Sequence, residues 1–169
     1  MAEPSEAELS EAQASVAQPS QAAQRLVVAH FIVSADVERS RRFYTEVLGG
    51  RLVFGPQPTY VALANGFIVI NVGGGPTDDK PTVTLETPSD SDRVSSFLNF
   101  RVADIEAAYT EWSARGAQFL TPPKHHQTEI RCYLRDPDGY IIEVGQTTDP
   151  QGDWFPADWP AINPGGGSD

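Results

Sequence analysis

Few side chains in this sequence are equipped for chemistry, and they are scattered. Glu143 is a carboxylate in the otherwise apolar run from Tyr140 to Val144, and His30 stands in the apolar run from Arg25 to Ser34. His125 and His126 lie side by side between Pro122-Pro123 and Thr128, in a segment that reads as a loop. Imidazole and carboxylate are the groups that move protons near neutral pH and hold divalent ions. Each also has a plainer use. A strand histidine can be satisfied by hydrogen bonds within a sheet, and loop histidines are solvated or bind a substrate oxygen. A carboxylate in an apolar strand needs a partner, and Arg131 or a tyrosine would serve Glu143. Cys132, the only cysteine, excludes an internal disulfide and reads as a buried thiol. No Ser/His/Asp order or Cys/His pairing supports nucleophilic hydrolysis. Gly73-Gly74-Gly75-Pro76 lacks a following lysine and opens no helix, so it does not read as a phosphate cradle.

The elements that must position these residues occur twice. Arg25 to Ser34 reads as a strand. Asp36 then caps a helix whose Val37, Phe43, Tyr44, Val47 and Leu48 fall at helical spacing, and Gly49-Gly50 stops it. Arg51 to Phe54, Tyr60 to Leu63 and Phe67 to Val72 follow as three short strands. From Ser95 the order repeats: a strand to Val102, a helix capped by Asp104 with Tyr109 and Trp112 on its core face, and Gly116 at its end. Gln118 to Leu120, Glu129 to Leu134 and Tyr140 to Val144 close the second unit, the last two joined by the turn Asp136-Pro137-Asp138-Gly139. Between the units, Gly73 to Asp92 reads as a connector, with Thr82 to Leu85 as a short extra strand. Duplicated units bury faces against each other and leave clefts between them that suit ligands.

Length and charge narrow the field further. The 169 residues, 40% of them apolar, predict one domain with tails. A formal net charge of −11 with no cluster of Lys and Arg argues against nucleic acid and anionic membranes as partners. No run approaches the roughly 20 apolar residues of a membrane span, and the start is not signal-like, so a cytoplasmic protein is expected. The Ala/Glu/Gln/Ser/Pro-rich arm 1–25 predicts disorder. The tail 148–169 carries Trp154, Phe155 and Trp159 in a proline-rich setting that cannot continue a sheet, and docking on its own domain, on a ligand or on a partner are its possible uses.

The two β-α-β-β-β units, the phrase from Ser34 to Gly50 and the closing segment from Arg135 to Val144 together resemble the vicinal oxygen chelate superfamily, the glyoxalase, bleomycin-resistance and extradiol-dioxygenase group. The resemblance spans 26–147, as module one 26–73, connector 74–94 and module two 95–147. It implies an α+β fold in which tandem βαβββ modules form a curved, half-open, eight-stranded cup, often within a homodimer. For metal-dependent members it also implies one ligand on each module's first strand and a carboxylate on the last.

Glu143 falls where the resemblance puts that carboxylate, which makes it the catalytic and metal-ligating candidate. His30 is six residues before Asp36 rather than the usual seven, and a one-residue shift along a strand reverses the face. Seven before Asp104 stands Phe97, which cannot bind a metal, and Asn99 is a poor substitute. Val69 and Asn71 occupy the place where some glyoxalases present a carboxylate. His125 or His126 would have to complete a site with Glu143. Three readings follow. The first is a metal-free, resistance-type binder of a small organic molecule, with Asn71, Phe97, Asn99, Arg101, Arg131 and Tyr133 lining the cup. The second is a lyase, isomerase or dioxygenase holding a single divalent ion through His30, Glu143 and a loop histidine. The third is a protein-interaction module using the tail.

Overall fold

A computed structural model describes residues 27–149. The expectations for the arm 1–25 and for Trp154, Phe155 and Trp159 lie outside the described residues. Module one runs β1 (Ala29–Val33), α1 (Val37–Arg42) extended by a wide π-type turn (Phe43–Val47), β2 (Arg51–Phe54), β3 (Thr59–Leu63) and β4 (Gly66–Asn71). Module two runs β5 (Leu98–Arg101), α2 (Ile105–Ala114), β6 (Gln118–Phe119), β7 (Lys124–His125), β8 (Glu129–Arg135) and β9 (Ile141–Thr147). The fold is α+β with two βαβββ-like sheets, as expected, ordered β1-β4-β3-β2 and β5-β9-β8-β6; β7 pairs with β8 as a ninth strand where eight were expected.

The caps are where the sequence puts them. Asp36 Oδ1 accepts from the Arg39 amide at 3.0 Å and Asp104 Oδ1 from the Ala107 amide at 2.9 Å, satisfying amides that the first helical turn leaves free. Gly50 is required by close approach rather than by its own angles: a Cβ there would lie 2.6 Å from the Tyr44 carbonyl oxygen. Strand alternation sends one face of each sheet toward the helices. Ile32, Val61, Ile68 and Ile70 from one sheet and Cys132, Leu134, Ile142 and Val144 from the other merge with Phe43, Tyr44 and Ile105 into a single core, against which Tyr109 and Trp112 pack. The Cys132 thiol is buried as expected, and that burial pushes its pKa up to about 11.

Two local expectations are corrected. His125 does not sit in a loop: the residues after Pro122-Pro123, a pair that favours extended backbone, lie beside β8 as β7, with Lys124 opposite Arg131 and His125 opposite Ile130. Thr82 to Leu85 forms no strand, and only an isolated bridge joins Leu85 to Gly74.

The β8–β9 turn fastens module two to module one. Asp138 accepts from the Ala35 amide, from Arg39 at 2.7 Å and from the Ser40 hydroxyl at 2.6 Å. Tyr44 donates to Asp136 Oδ2 at 3.0 Å, and the Val33 amide donates to the Tyr140 hydroxyl. Burial pushes the Asp136 carboxyl up to about 6, against the opposing pull of its hydrogen bonds.

Candidate functional site

The helices cover one face of each sheet: α1 packs on β3 and β4, and α2 on β9. The opposite faces form the candidate site. With Leu98 and Phe100 turned to the core, β5 presents Asn99 and Arg101 to the open face. By the same alternation β8 presents Glu129, Arg131 and Tyr133, and β9 presents Glu143, Gly145 and Thr147.

Three of these meet in one row across the strands. Asn99 stands opposite Glu143, and Glu143 opposite Tyr133. Asn99 Nδ2 donates to Glu143 Oε1 and the Tyr133 hydroxyl to Glu143 Oε2, each at 2.5 Å, so both oxygens of a carboxylate only 7% exposed are occupied by neutral donors. The bond to Glu143 in turn raises the Tyr133 pKa and keeps its phenol protonated. Phe97 closes this end, its ring edge-to-face with Tyr133 at 6.2 Å.

The adjacent row is cationic. Arg101 stands opposite Gly145, Gly145 opposite Arg131, and Arg131 opposite Lys124. Arg101 lies flat across the sheet because residue 145 has no side chain: a Cβ there would come 2.1 Å from Arg101 Nη1. That path lets Arg101 reach Thr147 Oγ1 at 2.8 Å and Glu129 at 3.1 Å, while Arg131 holds the other Glu129 oxygen at 2.8 Å.

Module one repeats this register with different chemistry. Phe31 stands five residues before its helix cap Asp36, as Asn99 does before Asp104. Phe31 pairs with Val69, Val69 with Tyr60, and Tyr60 with Phe54, whose ring it meets edge-to-face at 6.0 Å. Asn99–Glu143–Tyr133 in one module thus corresponds to Phe31–Val69–Tyr60 in the other. Asn71 shares the open face two residues on, where its Oδ1 accepts from its neighbour's amide at 2.9 Å.

The metal-ligand candidates are not brought together. His30 pairs with Ile68 and shares the face of Ile32, so it points away from Glu143 into the seam between the modules. There it lines a cavity of about 210 Å³ with Tyr44, Phe97, Leu98 and Ile142, and burial lowers its pKa. His125, opposite the core-facing Ile130, is turned to that same side of its sheet, and His126 stands in the exposed β7–β8 turn. That turn adjoins Glu129, whose partner Thr147 lies four residues along β9 from Glu143, roughly 13 Å at strand spacing. Among the described residues no three His, Cys, Asp or Glu side chains form a group that could hold a metal. The residues present at Glu143 do not fit a divalent ion.

Phe31, Tyr60, Phe54, Lys124, Glu129 and Gly145 were missing from the sequence-derived set. The spacing to the two caps maps Asn99 onto Phe31, whereas Val69 and Tyr60 follow only from the strand pairing.

The model of the Glyoxalase/Bleomycin resistance protein/Dioxygenase superfamily matches residues 26–144. No curated protein matches the sequence. Among solved structures, an integron cassette protein from the mobile metagenome of V. cholerae is 23% identical with a TM-score of 0.55, covering 72% of this chain and 94% of its own. A glyoxalase/bleomycin resistance protein/dioxygenase from Nocardioides is 20% identical with a TM-score of 0.60, covering 84% and 92%. TnmS3, an antibiotic-binding protein from Streptomyces sp. CB03234, is 22% identical with a TM-score of 0.54, covering 75% and 98%.

Proposed function

The chain belongs to the glyoxalase/bleomycin resistance protein/dioxygenase superfamily, and from that premise we propose that it binds a small organic molecule in its open cup, without a metal ion and without turnover. The observation that carries this reading is the pair of equivalent rows, aromatic and apolar at Phe31–Val69–Tyr60 and polar at Asn99–Glu143–Tyr133. Exposed Phe31, Tyr60, Phe54 and Phe97 supply apolar surface for a ligand to cover. Each Glu143 oxygen already accepts a short hydrogen bond, so its work is to fix Asn99 and Tyr133, leaving the Asn99 carbonyl to orient the ligand. The antibiotic-binding description of TnmS3, a protein of the same fold, agrees with this reading.

A homodimer belongs to the proposal, supported by the edge strand β2, whose Leu52, Val53 and Phe54 are exposed. Light scattering tests it.

The function is tested by elemental analysis of the purified protein together with a thermal-shift ligand screen. A binder carries no stoichiometric ion and gains several degrees from its ligand by linkage. A near-stoichiometric divalent ion that is lost in Glu143→Ala, or conversion of the ligand by metal-free protein, sinks the reading.

A further inference from the structure

The cationic row is at odds with the rest of the molecule. Arg131 stands directly opposite Lys124, and Arg101 lies one strand further on across Gly145, in a chain of net charge −11. Like charges facing one another across a sheet destabilise it. One carboxylate, Glu129, serves both arginines, and Lys124 is exposed and makes no ion pair among the described residues. The row therefore keeps about two uncompensated positive charges, while the buried Glu143 in the next row faces two neutral donors. Arg101 is immobilised by Glu129 and Thr147, but the Arg131 side chain is 38% exposed and bonds Glu129 through Nη1 alone, which leaves its other two guanidinium nitrogens without a hydrogen bond among the described residues. A planar guanidinium with free donors suits a bidentate acidic group, and the neighbouring ammonium adds a point charge.

We propose that the cup is selective for an aromatic organic acid, its anionic group held by Arg131 and Lys124 and its ring system laid against the aromatic side chains of the open face. The inference rests on the cup-binding reading and specifies its ligand class. The Phe97 ring meets that of Tyr133, which stands two residues from Arg131 on β8, roughly 7 Å at strand spacing, so the ligand is a ring system of two or more rings with its acid at one end. Such a ligand relieves the like-charge repulsion when it binds and is drawn in by a local field opposite in sign to that of the whole chain.

Two fluorescent probes sharing one skeleton test this: 1-anilinonaphthalene-8-sulfonate, which carries an acid, and N-phenyl-1-naphthylamine, which does not. The expected result is saturable binding of the sulfonate at one site per chain, about 10-fold tighter than the neutral probe at low salt and converging with it as salt screens the row. Arg131→Gln and Lys124→Gln should each weaken the sulfonate about 3-fold or more and leave the neutral probe unchanged. Lys124 is an exposed residue of a two-residue strand, so its variant reports even if Arg131→Gln fails to fold. Equal affinities, or variants that weaken both probes alike, overturn the anion preference and leave cup binding standing. Failure of both probes to bind overturns both readings.

Discussion

The Tyr133 hydroxyl donates to Glu143 Oε2 at 2.5 Å across the β8–β9 ladder, and this bond decides what the one buried carboxylate of the open face among the described residues can do. With Asn99 on its other oxygen, Glu143 is a fixed acceptor rather than a free base or ligand. Tyr133→Phe removes one of two partners from a buried charge and should cost about 1–3 kcal/mol in urea unfolding. Glu143→Gln keeps the shape and restores a neutral row, so it should cost less than Tyr133→Phe. The reverse order would show that the carboxylate is needed for more than positioning.

Gly145 offers a way to disturb the cationic row without disturbing the fold. In Gly145→Ala the new methyl group meets the end of the flexible Arg101 side chain, which can swing away, and alanine is at least as suited to a strand as glycine. Stability should change by no more than about 1 kcal/mol, while Arg101 loses its route to Glu129 and Thr147. Released Glu129 then pairs more fully with Arg131, and the affinity for an anionic aromatic probe should fall. Titration of the variant with such a probe checks this, and unchanged affinity would mean that Arg101 has no part in setting the row.

Much of this architecture was legible because it depends on local chemistry. Asp36 and Asp104 cap, Gly49-Gly50 and Gly116 stop helices, and Asp136-Pro137-Asp138-Gly139 turns a hairpin, each through groups near in sequence. Asn71, Asn99, Arg101, Arg131 and Tyr133 share the open faces, because period-two alternation assigns faces once a strand is known, and Phe97, just before β5, reaches that face through its ring contact with Tyr133. What the sequence did not reveal is lateral register. That Arg101, Arg131 and Lys124 form one row depends on strand offsets fixed by long-range pairing and on the strand β7, which is too short to leave a periodic signal. The outward turn of His30 from the open face was foreshadowed by its six-residue spacing to Asp36, but its place in the seam depended on how the two sheets meet.

Asp136 makes the seam between the modules sensitive to pH. Its folded pKa of about 6 lies above an unfolded value near 3.9, so the folded state binds the extra proton between them. The stability this group contributes is fully present below about pH 4 and is lost as pH rises through 6, a change of about 2–3 kcal/mol between the folded and unfolded pKa values. Asp136→Asn does not titrate. Its stability relative to the wild type should therefore rise between pH 4 and pH 7.5, as measured by urea unfolding at both. A constant difference across that range would show that the carboxyl is not held in its protonated form.

His30 works in the opposite direction at the same seam. Burial lowers its pKa, so the folded state holds a neutral imidazole where the unfolded chain, with a value near 6.5, takes up a proton. The stability that follows from this is full above pH 6.5 and is lost as pH falls through the lowered folded value. Tyr44 connects the two groups, since it lines the His30 cavity and donates to Asp136. Between pH 5 and 7 the two slopes oppose each other, and the wild type should show a flatter stability profile than either variant alone. Replacing the imidazole with an apolar side chain, His30→Leu, should unmask the Asp136 slope, with stability falling as pH rises. Asp136→Asn should unmask the His30 slope, with stability rising as pH rises. Unfolding curves of the three proteins at half-unit pH intervals separate these cases. Parallel profiles for wild type and His30→Leu would mean that the imidazole is hydrated in the folded protein and that the seam is open to water.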